Sequence, residues 1–313
     1  MEYFVIAFGV VFPILFYMAL GVAVRKAKLL NAEAFRQVNR LVLRVFLPIK
    51  LFLEIYQSDF TSVLRPGLIL YGLATVLAAF AVSWRTVGRF VKDRRDAPTL
   101  IQMLYRANYV LFGLSIAENM YPGQNLSIVS VLAAFVVPMF NILAVILFEV
   151  YRGGENISLV RLLLGVLKNP LVIGSALGLL CNGLGLPLPQ LLQKPLQNLG
   201  AIATPLALVC TGATLTFGGL RRYRRCLMWA TAGRLVILPG IFLTLAVMMG
   251  FRGMELTALF LIYACPVAAS SYPMAVELGG NGELAGLGVA VSHVACLVTI
   301  FLWIAFLNFF ALC

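Results

Sequence analysis

The sequence predicts an all-α membrane protein, with ten transmembrane helices arranged as two inverted five-helix repeats. Three observations predict it. First, the 313 residues are 62% hydrophobic and 12% charged, against roughly 45–50% and 25% in soluble domains. Second, the apolar runs are continuous, as in Val236-Ile237-Leu238 and Ala258-Leu259-Phe260-Leu261-Ile262, whereas strands of an outer-membrane barrel alternate with period two. Third, a shift of 157 positions superposes Pro13 on Pro170, Gly21 on Gly178, Pro48 on Pro205 and Gly123 on Gly280. Each pair falls at the same place in its five-helix unit, and an odd number of spans forces the second unit to insert upside down.

A spanning helix needs about 20 apolar residues. The predicted spans are 3–24, 33–56, 67–88, 98–118, 125–150, 168–187, 196–217, 226–250, 255–277 and 284–311. The repeats are therefore 1–150 and 151–313, joined by the segment from Tyr151 to Lys168 with its Gly153-Gly154-Glu155-Asn156 run. Met1 to Val24 starts with Glu2 in place of a basic region and continues too long for a secretion signal, so it is expected to remain as the first helix.

A net charge of +12 raises the question of nucleic acid, but its distribution answers otherwise. Seventeen Lys and Arg lie after the first, third, fifth and seventh spans, in clusters such as Arg85 to Arg95 and Arg221 to Arg225; the opposite loops hold only Arg65, Lys194 and Arg252. The positive-inside rule puts the basic loops in the cytoplasm and both termini outside, as expected for a bacterial cytoplasmic (inner) membrane. The partner that these clusters imply is the lipid bilayer, whose anionic headgroups attract them, with no nucleic acid.

Two spans are interrupted midway, by Tyr105-Arg106-Ala107-Asn108 and, about 158 residues later, by Tyr263-Ala264-Cys265-Pro266. A break at membrane depth frees backbone groups that lipid cannot satisfy, so it survives only inside protein or beside a wet cavity. A midplane cavity between inverted repeats is where carriers hold substrate. Pro266 lacks an N–H and breaks its helix; the first interruption has no proline, so Asn108 and Gly113 are expected to accommodate it.

The stretch Arg106-Ala107-Asn108-Tyr109-Val110-Leu111-Phe112-Gly113 resembles the auxin efflux carrier family. So do Asn169-Pro170-Leu171-Val172-Ile173 with Gly178 and Gly185-Leu186-Pro187-Leu188-Pro189, and Thr204-Pro205-Leu206-Ala207-Leu208 through Thr211-Gly212-Ala213-Thr214-Leu215. The likeness covers essentially the full length and implies the fold of bile-acid symporters and sodium/proton antiporters. In that fold helices 1, 2, 6 and 7 form a scaffold, often dimeric, helices 3–5 and 8–10 form a mobile transport domain, and helices 4 and 9 cross where each is unwound. Plant relatives export auxin, and bacterial relatives are commonly described as permeases for malate, malonate or similar acids. The resemblance thus implies a secondary transporter of small organic acid anions, auxin-like or dicarboxylate, working by an elevator mechanism. The alternative is a sodium- or proton-coupled symporter of a larger amphipathic solute of the bile-acid type.

Asn108, Arg106, Tyr109, Cys265, Pro266, Val267 and Ser270 are the expected substrate-binding residues. An unwound Asn108 can offer amide N–H to a carboxylate, while broken half-helices aim the positive ends of their dipoles at the same spot. Arg106, about 12 Å inside its span, must face protein or water; it either attracts an anion or caps crossover carbonyls. Arg234, similarly deep, is expected to snorkel to the cytoplasm. Glu118 and Glu277 are the candidates for ion coupling, although their places near span ends also suit plain solvated carboxylates. Lys50 and Glu54, at i,i+4, are expected to pair, and Gly174-Ser175-Ala176-Leu177-Gly178 has the spacing for close helix packing.

The expectation is of no enzyme, no cofactor and no metal. His293 is the single histidine, which rules out a zinc site with two histidines on one helix, and no nucleophile-elbow motif is present. The six cysteines are scattered through apolar spans without metal or redox spacing.

Overall fold

The computed structural model of the chain describes residues 2–58, 65–153 and 159–312. Asp59, Cys313, the Gly154 to Asn156 part of the join and the side chain of Arg161 lie outside what is described. In chain order come α1 (Glu2–Lys26), α2 (Ala32–Leu41), a π turn (Val42–Phe46) and α3 (Leu47–Tyr56), then α4 (Pro66–Phe90), α5 (Asp96–Tyr105), a second π turn (Tyr109–Gly113) and α6 (Leu114–Met120). They are followed by α7 (Ser127–Gly153), α8 (Leu159–Leu167), α9 (Pro170–Gly183), α10 (Gln190–Thr214) and α11 (Phe217–Ala232). A third π turn (Gly233–Ile237) leads to α12 (Leu238–Met248), and α13 (Gly253–Ala264), α14 (Ser271–Leu278) and α15 (Gly282–Phe309) complete the chain. Among the described residues five stretches are singly long and apolar enough to cross a membrane: α4, α7, α10, Gly218–Met248 and α15.

Local chemistry sets the boundaries. Asn31, Asn169, Thr216 and Asn281 each accept a backbone N–H with the side chain at a helix start, filling a donor that the first turn leaves unpaired. Pro170 follows Asn169 at the first position, where its missing N–H costs nothing. In the loop before α5, the Asp93 carboxylate accepts from the Asp96 and Arg95 amides at 3.0 and 2.8 Å, and these bonds hold its pKa below the usual carboxylate range.

Three predicted boundaries are corrected. Where the sixth span was expected over 168–187, the helix is the 14-residue α9, because the chain turns at Gly185, whose φ of 62° suits glycine. The join contains the apolar α8. The helix expected to begin the eighth span at 226 starts at Phe217 under the Thr216 cap, so the Arg221 to Arg225 cluster is helical.

The surface fits lipid. Phe12, Phe16, Leu70, Val82, Met228, Trp229 and Phe309 are exposed, while Arg106, Asn108, Asn141, Arg234 and His293 are buried, the reverse of a water-soluble domain.

Two sets of helices pack around one another. In the first, α1 lies on α10, α10 on α3 and α3 on α9, at backbone contact. A Cβ on Gly174 would stand 2.5 Å from the Pro48 carbonyl oxygen and one on Gly178 2.8 Å from that of Phe52, so the expected small-residue packing is borne out. Gly21 and Gly212 meet the backbone of Val209 and Met18 still more closely. In the second set α4 packs on α5 and α7, α11 and α14 on α15, and α12 on α13.

Alanine normally stabilises a helix by about 1 kcal/mol over glycine. Gly212→Ala is therefore expected to lower the unfolding midpoint in detergent, because its methyl meets the Met18 backbone, while Gly67→Ala, with no heavy atom within 4 Å, leaves it unchanged or raises it.

Candidate functional site

Both interruptions are present, and they meet. After α5 the backbone leaves helical geometry at Arg106 (φ −94°, ψ 114°) and Asn108 (φ −82°, ψ 56°). After α13 it does so at Cys265 (φ −67°, ψ 147°). The freed segments pair as a short antiparallel bridge of Ala107 with Val267. Asn108 N–H donates to the Pro266 carbonyl at 2.9 Å, and Ala268 N–H to that of Arg106 at 3.3 Å. Gly113, expected to accommodate the first break, instead sits in helical geometry one turn later. Its small size serves packing there, since a Cβ would lie 3.4 Å from Cys265 Sγ and from Leu261.

Arg234 satisfies much of the remaining backbone. It does not snorkel: it is 0% exposed. Its Nε donates to the Cys265 carbonyl at 3.1 Å, Nη1 to that of Leu104 at 3.0 Å and Nη2 to that of Ile262. One guanidinium thus caps the ends of α5 and α13 together, which explains why a permanent charge is kept where burial is costly. Ser292 Oγ accepts the Val267 N–H at 3.1 Å.

Arg106, 3% exposed, does not cap carbonyls. Its Nη2 donates to Asn141 Oδ1 and, at 2.9 Å, to Ser270 Oγ, and its Nη1 lies against Met274 Sδ. All of these partners are neutral. Asn108 donates its amide N–H to His293 Nε2 at 3.3 Å. The Tyr109 hydroxyl sits between the carbonyls of Val129 and Ala258 at 3.2 and 3.1 Å, so it acts as a packing post.

A cavity of about 60 Å³ lies against the crossing. Arg106, Ala107, Asn108, Tyr109, Asn141 and Ser270 line one side, and Lys50, Glu54, Leu171 and Thr204 the other. Through Glu54, Val110 and Val137 it adjoins a larger space of about 220 Å³ that reaches Gln57 and Ser58 at the end of α3. Lys50 and Glu54 pair at 3.2 Å, as their spacing predicts. That pair neutralises its own wall, so Arg106 is left as the cation at the cavity without a carboxylate partner among the described residues.

Four of the expected binding residues, Arg106, Asn108, Tyr109 and Ser270, line this cavity. Cys265, Pro266 and Val267 do not; they form the bridge behind it, with their backbone groups taken by Arg234, Asn108 and Ser292. The two candidate coupling carboxylates are placed elsewhere. Glu118 is exposed on α6, and Glu277 pairs with Arg40 at 3.5 Å at the rim of another cavity. Sequence reasoning passed over Asn141, whose signal was a lone amide in the middle of the apolar α7.

Known proteins resemble this chain over nearly its whole length. A family model described as "Membrane transport protein" matches residues 6–304. An uncharacterized transporter of Methanothermobacter thermautotrophicus is 23% identical over 297 residues, covering 94% of this chain and 96% of that protein. The uncharacterized transporter YfdV of Escherichia coli K12 is 22% identical over 303 residues, covering 95% and 96%. With two broken helices meeting at a polar cavity and a match over nearly its whole length, the chain belongs to the membrane transport protein family, the auxin efflux carrier-like membrane transporters.

Proposed function

We propose that this transporter is a secondary carrier of small organic acid anions and that it moves them by an elevator-type displacement. The observation that carries the reading is Arg106, a buried guanidinium at a cavity wall whose protein partners are all neutral. A charge kept dry without a counterion is costly, and a ligand carboxylate offsets that cost with a charge-assisted bond. The amino-terminal end of α14, which begins just after Ser270, adds partial positive charge from the same side.

The elevator part of the reading takes α1, α2, α3, α9 and α10 as the scaffold and α4 to α7 with α11 to α15 as the moving arm. What supports it is the division of the cavity walls. Arg106, Asn108, Asn141 and Ser270 come from the arm, while Lys50, Glu54, Leu171 and Thr204 come from the scaffold. The arm can then carry a bound acid past a scaffold face that holds no part of the anion-binding set. Scaffold and arm are tied on the basic-loop side by Arg40 with Glu277 at 3.5 Å and by Asn39 Nδ2 donating to the Pro273 carbonyl at 3.4 Å. In this reading the basic loops face the cytoplasm of a bacterial inner membrane, and exposed leucines of α9 and α10 such as Leu177, Leu180 and Leu191 supply a dimer face.

Two experiments test this reading. Short organic acids should raise the unfolding midpoint of the purified protein, since a ligand at a hundred times its Kd adds about 2.7 kcal/mol, and should enter protein-containing liposomes faster than empty ones. Arg106→Gln is expected to abolish both effects; an acid that neither shifts the midpoint nor crosses overturns the reading. For the displacement, Arg40→Cys with Glu277→Cys, in a background cleared of the native cysteines, is expected to lose flux on oxidation and regain it with reductant. Undiminished flux in the cross-linked protein contradicts a sliding arm.

A further inference from the structure

The hydrogen-bond partners of His293 determine which end of the Asn108 amide a ligand meets. His293 is fully buried in α15, with Phe112 edge-on at 6.1 Å. Its Nδ1 lies 2.7 Å from the Val289 carbonyl oxygen, which has no proton to give, so the imidazole hydrogen is on Nδ1. No carboxylate is among its hydrogen-bond or ion-pair partners, and a dry cationic ring would be unpaired, so the ring is neutral. Nε2 is then an acceptor only. The Asn108 atom 3.3 Å away must therefore be the amide nitrogen, as observed.

The other end of that amide is left over. Among the described residues no donor reaches Asn108 Oδ1, and Asn108 lines the cavity. On the same cavity wall the Asn141 amide is placed the opposite way. Its Oδ1 is taken by Arg106, while its buried Nδ2 has no partner. The wall thus presents a cation and an unused N–H beside an unused carbonyl oxygen. A bare carboxylate satisfies the first two and leaves the third facing a second acceptor or nothing, an arrangement that costs free energy in a dry site.

We propose that His293 is a positioning residue that holds Asn108 with its carbonyl toward the ligand. The site then selects acids bearing a hydroxyl or N–H donor near the carboxylate over acids that lack it. This rests on the carrier reading and extends it to a substrate class. Sites built around a hydrogen bond discriminate strongly against the analogue that cannot make it.

The test uses the purified full-length protein and two matched pairs, lactate with propionate and 3-hydroxybutyrate with butyrate, measured by titration calorimetry. Wild type is expected to bind the hydroxylated member about ten-fold more tightly. His293→Leu is expected to bring the two members of each pair within about two-fold while propionate affinity stays unchanged, a pattern that general loss of structure does not produce. His293→Gln, whose amide oxygen can replace Nε2 as acceptor, should restore the preference. Should His293→Leu fail to purify in folded form, Asn108→Leu serves the same purpose and should also erase the preference. Equal binding within each pair by wild type, or a preference that survives in either leucine variant, overturns the proposal. Binding of no acid by wild type defeats the carrier reading itself, and this proposal with it.

Discussion

Lipid has no group that can hydrogen-bond a peptide, and the centre of this molecule is organised by that constraint. Two helices that stop inside the bilayer expose several N–H and C=O groups each. Here each break supplies partners for the other. Asn108 N–H meets the Pro266 carbonyl, and Ala268 N–H meets that of Arg106. What the bridge leaves over falls to Arg234, Ser292 and Cys296, the last with its thiol 3.5 Å from the Ala264 carbonyl. Neither break is tenable alone, so the two broken segments are locked together at this point.

Two buried arginines lie at the crossing and do different work. The donors of Arg234 are used on three carbonyls from two helix ends, which makes it part of the backbone's own hydrogen bonding. Arg106 is held by an amide, a hydroxyl and a thioether. These neutral groups orient the guanidinium without neutralising it, and its charge remains available at the cavity wall. The rigid, permanently charged fork of arginine suits both uses, where a lysine could lose its proton or reach fewer acceptors.

Much of this was legible in the residues. Pro266 announces its own break because it cannot donate, and the matching tyrosines, Tyr105 and Tyr263, stand beside the two interruptions and are both buried. The Lys50 and Glu54 pair and the Gly174 to Gly178 contact follow from helical periodicity, which is local. What the residues did not reveal depends on contacts between distant segments. Arg234 looked like any deep basic residue that could turn to the surface, because its acceptors lie 31, 130 and 28 positions away. The Asn108 to His293 bond spans 185 positions. Asn108 was singled out, but as an N–H donor to the ligand, and only the histidine's place in the fold shows where that nitrogen points.

The most direct test of this account is the thermal unfolding midpoint of Arg234→Gln beside that of wild type, both in the same detergent. If one guanidinium satisfies the ends of both broken helices, the variant leaves buried carbonyls unpaired. Its midpoint should fall by several degrees or more, with or without any acid present. A midpoint equal to wild type would mean that the crossing does not depend on Arg234, and the division of labour between the two arginines would be contradicted.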